Sequence, residues 1–238
     1  MSGAEGHKRP DAKQPHTRIK ICGLRDRATI RAMHGLNVDA IGFLFAQSKR
    51  QVSPELASTL IEEVRAWPSA SSEGAAPLAV GVFVNADLAE LTSTVNTAKL
   101  DVVQLHGGET PELCAAVKQE LDVQVWKVFP IGRSAEEDAL GAEARLLPFQ
   151  SVVDAVLIDT AGGGTGEVFD WNIIRDYKEA AAKLGVPLYV AGGLHLDNVQ
   201  QLVHDYRPGG VDVSSGVETD GIKDIEKIST FVRRVLEA

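Results

Sequence analysis

A chain of 238 residues, 44% of them hydrophobic, is long enough to bury most of its apolar surface in one core. Its formal charge of −9 at pH 7 leaves no excess of cations for a nucleic-acid backbone or an anionic membrane surface, so any anion it binds must be held locally. The two cysteines, Cys22 and Cys114, have neither metal-ligand spacing nor the density of a secreted disulfide scaffold, which fits a reducing, cytoplasmic setting.

Met1 to Thr17 is polar, carries Gly3, Gly6, Pro10 and Pro15 and lacks an apolar run, so residues 1–17 are expected to form a disordered tail, not a signal peptide or membrane anchor. From Arg18 onward, runs rich in Val, Ile and Leu alternate with segments of helical period, as in repeated βα units around a parallel sheet. Strands are expected over Arg18–Cys22, Ala40–Phe45, Leu78–Val84, Val102–Leu105, Val123–Phe129, Ala155–Asp159, Pro187–Ala191 and Gly210–Val213.

Between them, Ser53-Pro54 and Thr110-Pro111 place a hydroxyl at a helix N-cap and a proline where no N–H is needed, and Asp87 and Asp170 are expected to cap in the same way. Leu56, Leu60, Ile61 and Val64 fall on one helical face, as do Ile173, Ile174, Tyr177, Ala181 and Leu184, with Gly185 and Pro187 ending the latter helix. The fifth unit is the weakest: Ser134 and Glu137 have capping-box spacing, but the helix is short and interrupted by Gly141 and Pro148. Pro68 to Pro77 reads as a flexible surface insertion.

Eight such strands form either an open doubly wound sheet or a closed barrel, and periodicity does not choose between them. Charge placement favours the barrel, a single α/β domain over residues 18–238 of the (β/α)8, or TIM, type. Alternate residues of a barrel strand face the lumen and the helices in turn. The first strand sets Lys20 and Cys22 against Ile19 and Ile21, the fourth Gln104 and His106 against Val103 and Leu105, and the eighth Asp212 and Ser214 against Val211 and Val213. In the fifth, Lys127 stands between Val125 and Phe129 and is read as lumenal too. Buried charges persist only when paired or facing a polar ligand, so the lumen is expected to be a site. Cys22, Arg50, His106, Asp159, Gly193 and Ser215 lie at or just beyond the C-terminal strand ends, where such barrels place their chemistry. Ala191-Gly192-Gly193-Leu194 and Ser214-Ser215-Gly216-Val217 follow the seventh and eighth strands, and small residues there let backbone N–H groups approach a phosphate.

Taken in order, Lys20-Ile21-Cys22-Gly23, Gly42-Phe43 with Ser48-Lys49-Arg50, Val80 to Asn85, Val103-Gln104-Leu105-His106-Gly107, Leu157-Ile158-Asp159, Gly163 to Gly166 with Phe169-Asp170-Trp171, Ala191 to Leu194 and Val211 to Glu218 resemble the phosphoribosylanthranilate isomerase family of tryptophan biosynthesis. The resemblance runs from about Arg18 to the C-terminus; the segment Thr160 to Gly162 is shorter than is usual in that family. It implies an Amadori rearrangement of N-(5-phosphoribosyl)anthranilate to 1-(2-carboxyphenylamino)-1-deoxyribulose 5-phosphate, without metal or cofactor. Cys22 is then the general base and Asp159 the general acid. Arg50 meets the anthranilate carboxylate, Gln104 and His106 orient substrate or satisfy lumenal hydrogen bonds, and Gly193, Leu194, Ser214, Ser215 and Gly216 hold the phosphate.

The expected partner is therefore a small phosphorylated molecule, with no nucleic acid or membrane, and nothing in the pattern fixes an oligomeric state. Lys20, two residues before Cys22 on the same face, is expected to stabilise its thiolate, so that Lys20→Met slows proton abstraction and raises the alkaline limb of the pH profile. The related barrel of histidine biosynthesis carries an acidic residue where Cys22 stands. A phosphate-binding barrel without turnover is the competing reading, and binding alone needs neither Cys22 nor Asp159.

Overall fold

The computed structural model describes residues 16–67, 76–132, 140–160 and 169–238. Strands β1 (Arg18–Cys22), β2 (Ala40–Leu44), β3 (Leu78–Phe83), β4 (Val102–Leu105), β5 (Gln124–Ile131), β6 (Ala155–Thr160), β7 (Leu188–Val190) and β8 (Gly210–Val213) are parallel and close into a barrel in sequence order. β8 pairs back onto β1, with Lys20 opposite Asp212, and this pairing decides between barrel and open sheet.

Helices α1 (Arg27–Ala32), α2 (Pro54–Arg65), α3 (Leu88–Ala98), α4 (Pro111–Glu120), α5 (Gly141–Leu146), α6 (Ile173–Leu184), α7 (Leu196–Tyr206) and α8 (Ile225–Leu236) follow the strands in turn. Ser53, Asp87 and Thr110 cap α2, α3 and α4 by accepting from Leu56 N, Glu90 N and Leu113 N. α6 ends at Gly185, whose φ of 76° is left-handed. Asp170 departs from expectation: its carboxylate accepts from Asn172 N and Nδ2 ahead of the helix, and the residue at the N-cap is Asn172. In α2 three of the four expected apolar residues, Leu60, Ile61 and Val64, are buried, but the fourth place is taken by Ala57, while Leu56 is 42% exposed. Gly141 starts α5 instead of interrupting it, and Pro148 falls in the 3-10 turn Leu147–Phe149. The expected capping pair Ser134 and Glu137, most of the Pro68–Pro77 insertion, the Gly163 to Gly166 run and the tail through residue 15 lie outside the described residues.

Two apolar regions follow from strand alternation. Ile19, Ile21, Val103, Leu105, Val125, Phe129, Val211 and Val213 point outward into one core with the helices. Ala40, Val80, Val102, Trp126, Val128, Ala155, Leu157, Tyr189 and Ala191 form a second cluster inside the barrel. There Trp126 and Tyr189 lie with ring centroids 4.6 Å apart and fill the lumen beneath the site.

This division corrects the reading of β5. Its lumenal residues are Trp126 and Val128, whereas Lys127 shares the outer face with Val125 and Phe129. Lys127 Nζ is buried there and pairs with Glu109 at 3.1 Å, also donating to Leu105 O, Gly107 O and Val128 O. Beyond β8 comes a short hairpin that the alternation of elements does not announce, β9 (Glu218–Thr219) paired antiparallel to β10 (Ile222–Lys223). Its two-residue turn is Asp220-Gly221, both at positive φ, a sequence favourable to tight hairpins.

Candidate active site

A cavity of about 390 Å³ opens at the C-terminal ends of the strands. Cys22, Arg50, Gln104, His106, Asp159, Gly193, Leu194, Ser214 and Ser215 line it together, joined by Asp212. This is a size suited to a small molecule. Of the residues expected at the site, Gly216 alone does not line it. A Cβ at Gly216 would stand 1.9 Å from Leu194 O, so its bare backbone is what lets the β8 turn pack against the β7 turn.

Cys22 ends β1 and Asp159 lies near the end of β6, three strands away around the ring, so their side chains face one another across the lumen. Cys22 is buried, and burial pushes its thiol up. Lys20 and Lys223 oppose that push and Asp212 adds to it, leaving the thiol above its ordinary value. Lys20 and Cys22 fill the space over Gly42 in β2, with Nζ and Sγ 3.1 and 2.7 Å from the position a Cβ would take. Lys20 Nζ donates to Asp212 Oδ2 at 2.7 Å.

Asp159 Oδ2 lies 3.3 Å from His106 Nε2, which brings the acid and the histidine just after β4 into one pair. Its other oxygen, Oδ1, is buried and accepts from no group among the described residues; the same holds for Gln104 Oε1 and Asp212 Oδ1. Buried acceptors of this kind are costly unless something donates to them. With all three residues on the cavity wall, a polyhydroxylated ligand is a matching source of donors. Gly192 (φ 84°) lets the β7 turn lie against β6, where a Cβ would stand 2.8 Å from Asp159 Oδ1. The next turn residue is tied down by α7: Asn198 Nδ2 donates to Gly193 O at 3.0 Å, while Asn198 Oδ1 accepts from His195 N.

Arg50 is not a solvated surface cation. It is 8% exposed, and its guanidinium grips Glu218 through Nε and Nη2 at 2.6 and 2.7 Å. The sequence reading gives no role to Glu218, though it closes the family motif, nor to Lys223 or Glu109, since each is defined by a partner from another strand or loop. For Glu218 and Lys223 the signal was present in the Asp220-Gly221 turn, which folds both toward the β8 end. Cys114 is buried in α4, and burial pushes its thiol up to about 11, so it behaves as a small apolar residue. His16 and His34 are exposed.

The family profile described as N-(5'phosphoribosyl)anthranilate (PRA) isomerase matches residues 19–234. The N-(5'-phosphoribosyl)anthranilate isomerase of Brevibacillus brevis is 41% identical over 223 residues, covering 92% of this chain and 93% of the relative. That of Geobacillus thermodenitrificans is 40% identical over 215 residues, covering 89% and 90%. Among solved structures, phosphoribosyl anthranilate isomerase from Thermotoga maritima superposes with a TM-score of 0.74 at 32% identity, over 93% of this chain and 100% of that one. A phosphoribosyl anthranilate isomerase in complex with reduced 1-(o-carboxyphenylamino)-1-deoxyribulose 5-phosphate gives a TM-score of 0.72 at 31% identity, with the same coverage. With matches of this extent in both sequence and structure, the chain belongs to the N-(5'-phosphoribosyl)anthranilate isomerase family.

Proposed function

We propose that this isomerase converts N-(5'-phosphoribosyl)anthranilate to 1-(2-carboxyphenylamino)-1-deoxyribulose 5-phosphate with Cys22 as general base and Asp159 as general acid, an intramolecular oxidoreduction of the aldose–ketose type. The observation that carries this reading is the meeting of a thiol and a carboxyl across one cavity, between two small-residue turns and an arginine. Binding alone would need no such pair.

Asp159 donates a proton to the furanose ring oxygen, the C1–O bond breaks, and the anthranilate nitrogen lone pair forms a protonated Schiff base at C1. Cys22, as thiolate, removes the proton on C2; the electrons of that bond form C1=C2, and the C1=N pair returns to nitrogen. The enolamine then tautomerises, its C2 hydroxyl becoming the ketone as C1 gains a proton. Substrate and product have the same atoms, so no cofactor enters the balance.

Gly193, Leu194, Ser214, Ser215 and Gly216 supply the turns for the phosphate. Gln104, His106 and Arg50 line the same cavity; in this reading the first two orient the sugar or complete lumenal hydrogen bonds, and Arg50 receives the aromatic carboxylate. Burial holds Cys22 as a thiol in the resting site, so the base form is reached by raising the pH or by the field of Lys20 once the substrate has displaced water. The partner is thus a small phosphorylated molecule and the setting the cytoplasm. Among the described residues no helix is long and apolar enough to cross a membrane.

The test is turnover of phosphoribosylanthranilate, generated in situ, by the parent protein and by folded Cys22→Ala and Asp159→Asn variants. The parent is expected to turn over and each variant to lose at least about a hundredfold. A folded parent that binds the substrate without converting it would make the barrel a binding protein.

A further inference from the structure

Arg50 does not meet the cavity as an isolated cation. Its stem passes over Gly23, with Cδ 2.7 Å from where a Cβ would stand, and its head is clasped by Glu218 through Nε at 2.6 Å and Nη2 at 2.7 Å. Glu218 in turn accepts from Lys223 Nζ at 2.7 Å, and Lys223 also donates to Ser214 O and Oγ at 2.8 and 3.3 Å. The side chains of Arg50, Glu218 and Lys223 are 9%, 6% and 4% exposed. Arg50 lines the cavity; Glu218 and Lys223 stand behind it and do not.

Two consequences follow from the geometry of a guanidinium, which carries five N–H groups in a planar fork. Glu218 occupies the side formed by Nε and one Nη2 proton, which leaves the end formed by Nη1 and the other Nη2 proton. That free end is again a bidentate edge of the kind that matches a carboxylate. The second consequence concerns charge. An arginine fully paired with a glutamate is neutral as a unit and a poor receptor for an anion, but a third group, Lys223, adds a positive charge: burial weakens its hold on the proton, and Glu218 at 2.7 Å works to keep it.

We propose that Glu218 and Lys223 form a positioning unit that presents the free end of Arg50 to the aromatic carboxylate of the substrate and keeps that end electropositive. The inference rests on the functional reading above, and it assigns selectivity for an anionic aryl group to residues that do not line the cavity. Glu218 sits about where such a unit needs it: burial works against its charge, yet Arg50 and Lys223 hold its carboxyl down to about 2, so it is ionised throughout the neutral range. Cys22, when ionised, also acts on both Arg50 and Lys223, and Lys227 Nζ donates to the backbone oxygen of Glu218 at 2.8 Å.

Calorimetric titration with two ligands tests this: reduced 1-(o-carboxyphenylamino)-1-deoxyribulose 5-phosphate, and its phenylamino counterpart lacking the carboxyl group. The parent is expected to prefer the carboxylated ligand by about tenfold or more, the value of a charge-assisted pair. Glu218→Gln and Lys223→Met should each erase most of that preference, with the affinity of Glu218→Gln for the phenylamino ligand kept within about twofold of the parent. Glu218→Asp, which keeps the charge and shortens the reach, is read in the same way should Glu218→Gln not fold. Variants that retain the preference, or that lose both ligands in equal proportion, overturn the proposal, as does a parent that binds both ligands equally. A parent that binds neither ligand removes the functional reading itself, and the proposal with it.

Discussion

Lys20 and Asp212, 192 residues apart in the chain, meet at 2.7 Å inside the barrel, where the lysine has no exposure to solvent. Burial acts to lower the lysine's affinity for its proton, but Asp212 and Cys22 facing it raise that affinity on balance, so Lys20 stays a cation beside the proposed base. Its position confirms the proximity expected from their shared strand face. It also sets a limit, since Lys20 lowers the Cys22 thiol less than burial raises it.

Removal of this pair is expected to shift the thiol further up. Lys20→Met alone would strand a buried carboxylate, so the cleaner variant is Lys20→Met with Asp212→Asn. The attraction of Lys20 for the thiolate outweighs the repulsion from Asp212, and the net change is therefore upward. Alkylation of Cys22 by iodoacetamide against pH reads this directly, with Cys114, buried and near 11, as the internal control. The rise in rate should move to higher pH in the variant, and the limb of the activity profile that rises with pH should move with it. Superimposable alkylation profiles would remove Lys20 from any part in activating Cys22.

Lys127 gives a prediction of the opposite kind. Its partner Glu109 accepts from Asn85 N at 2.8 Å and from Gly107 N at 2.8 and 3.0 Å, so the ion pair ties the loops after β3 and β4 to β5 behind the barrel wall. Loss of one member of a buried pair costs about 3–5 kcal/mol. Lys127→Met should lower the urea midpoint accordingly, with kcat of the folded fraction within about threefold of the parent. The carboxyl of Glu109 is held below its ordinary value: burial opposes its ionisation, but Asn85 N and Lys127 favour it more strongly. The stability it contributes is therefore complete above the ordinary carboxylate range and is lost as pH falls through the lower folded value. A large fall in kcat at unchanged stability would return Lys127 to the lumen.

Gly216→Ala tests the join between the two small-residue turns. The added methyl would lie 1.9 Å from Leu194 O and 2.9 Å from His195 Cα, both backbone atoms that no rotamer change relieves. The turns must separate, and displacement of a binding group by about 1 Å can cost a hundredfold. The expected result is a KM for phosphoribosylanthranilate raised tenfold or more, with the urea midpoint lowered by less than that of Lys127→Met. An unchanged KM would mean that the phosphate is held elsewhere.

The barrel and most of its site are legible in the sequence because β1, β4 and β8 alternate polar with apolar residues, which separates their two faces. β5 is apolar on both, with Val125 and Phe129 outside and Trp126 and Val128 inside, so a two-residue period carries no information about which way Lys127 points. The choice between Leu56 and Ala57 fails for a related reason, because a buried alanine leaves little mark on a helical pattern. Cys22 and Asp159 were marked out by their place at strand ends and by the family motif, and both line the cavity. Glu218 and Lys223 were given no role, since what defines them is an ion pair closed across loops: Arg50 lies 168 residues from Glu218.

The close pair Trp126 and Tyr189 makes the barrel a cup and not a pipe. With the base of the lumen closed, whatever enters past Arg50 must leave the same way, and a waiting substrate cannot push a finished product out ahead of it. Each catalytic cycle is therefore a strict exchange at one doorway.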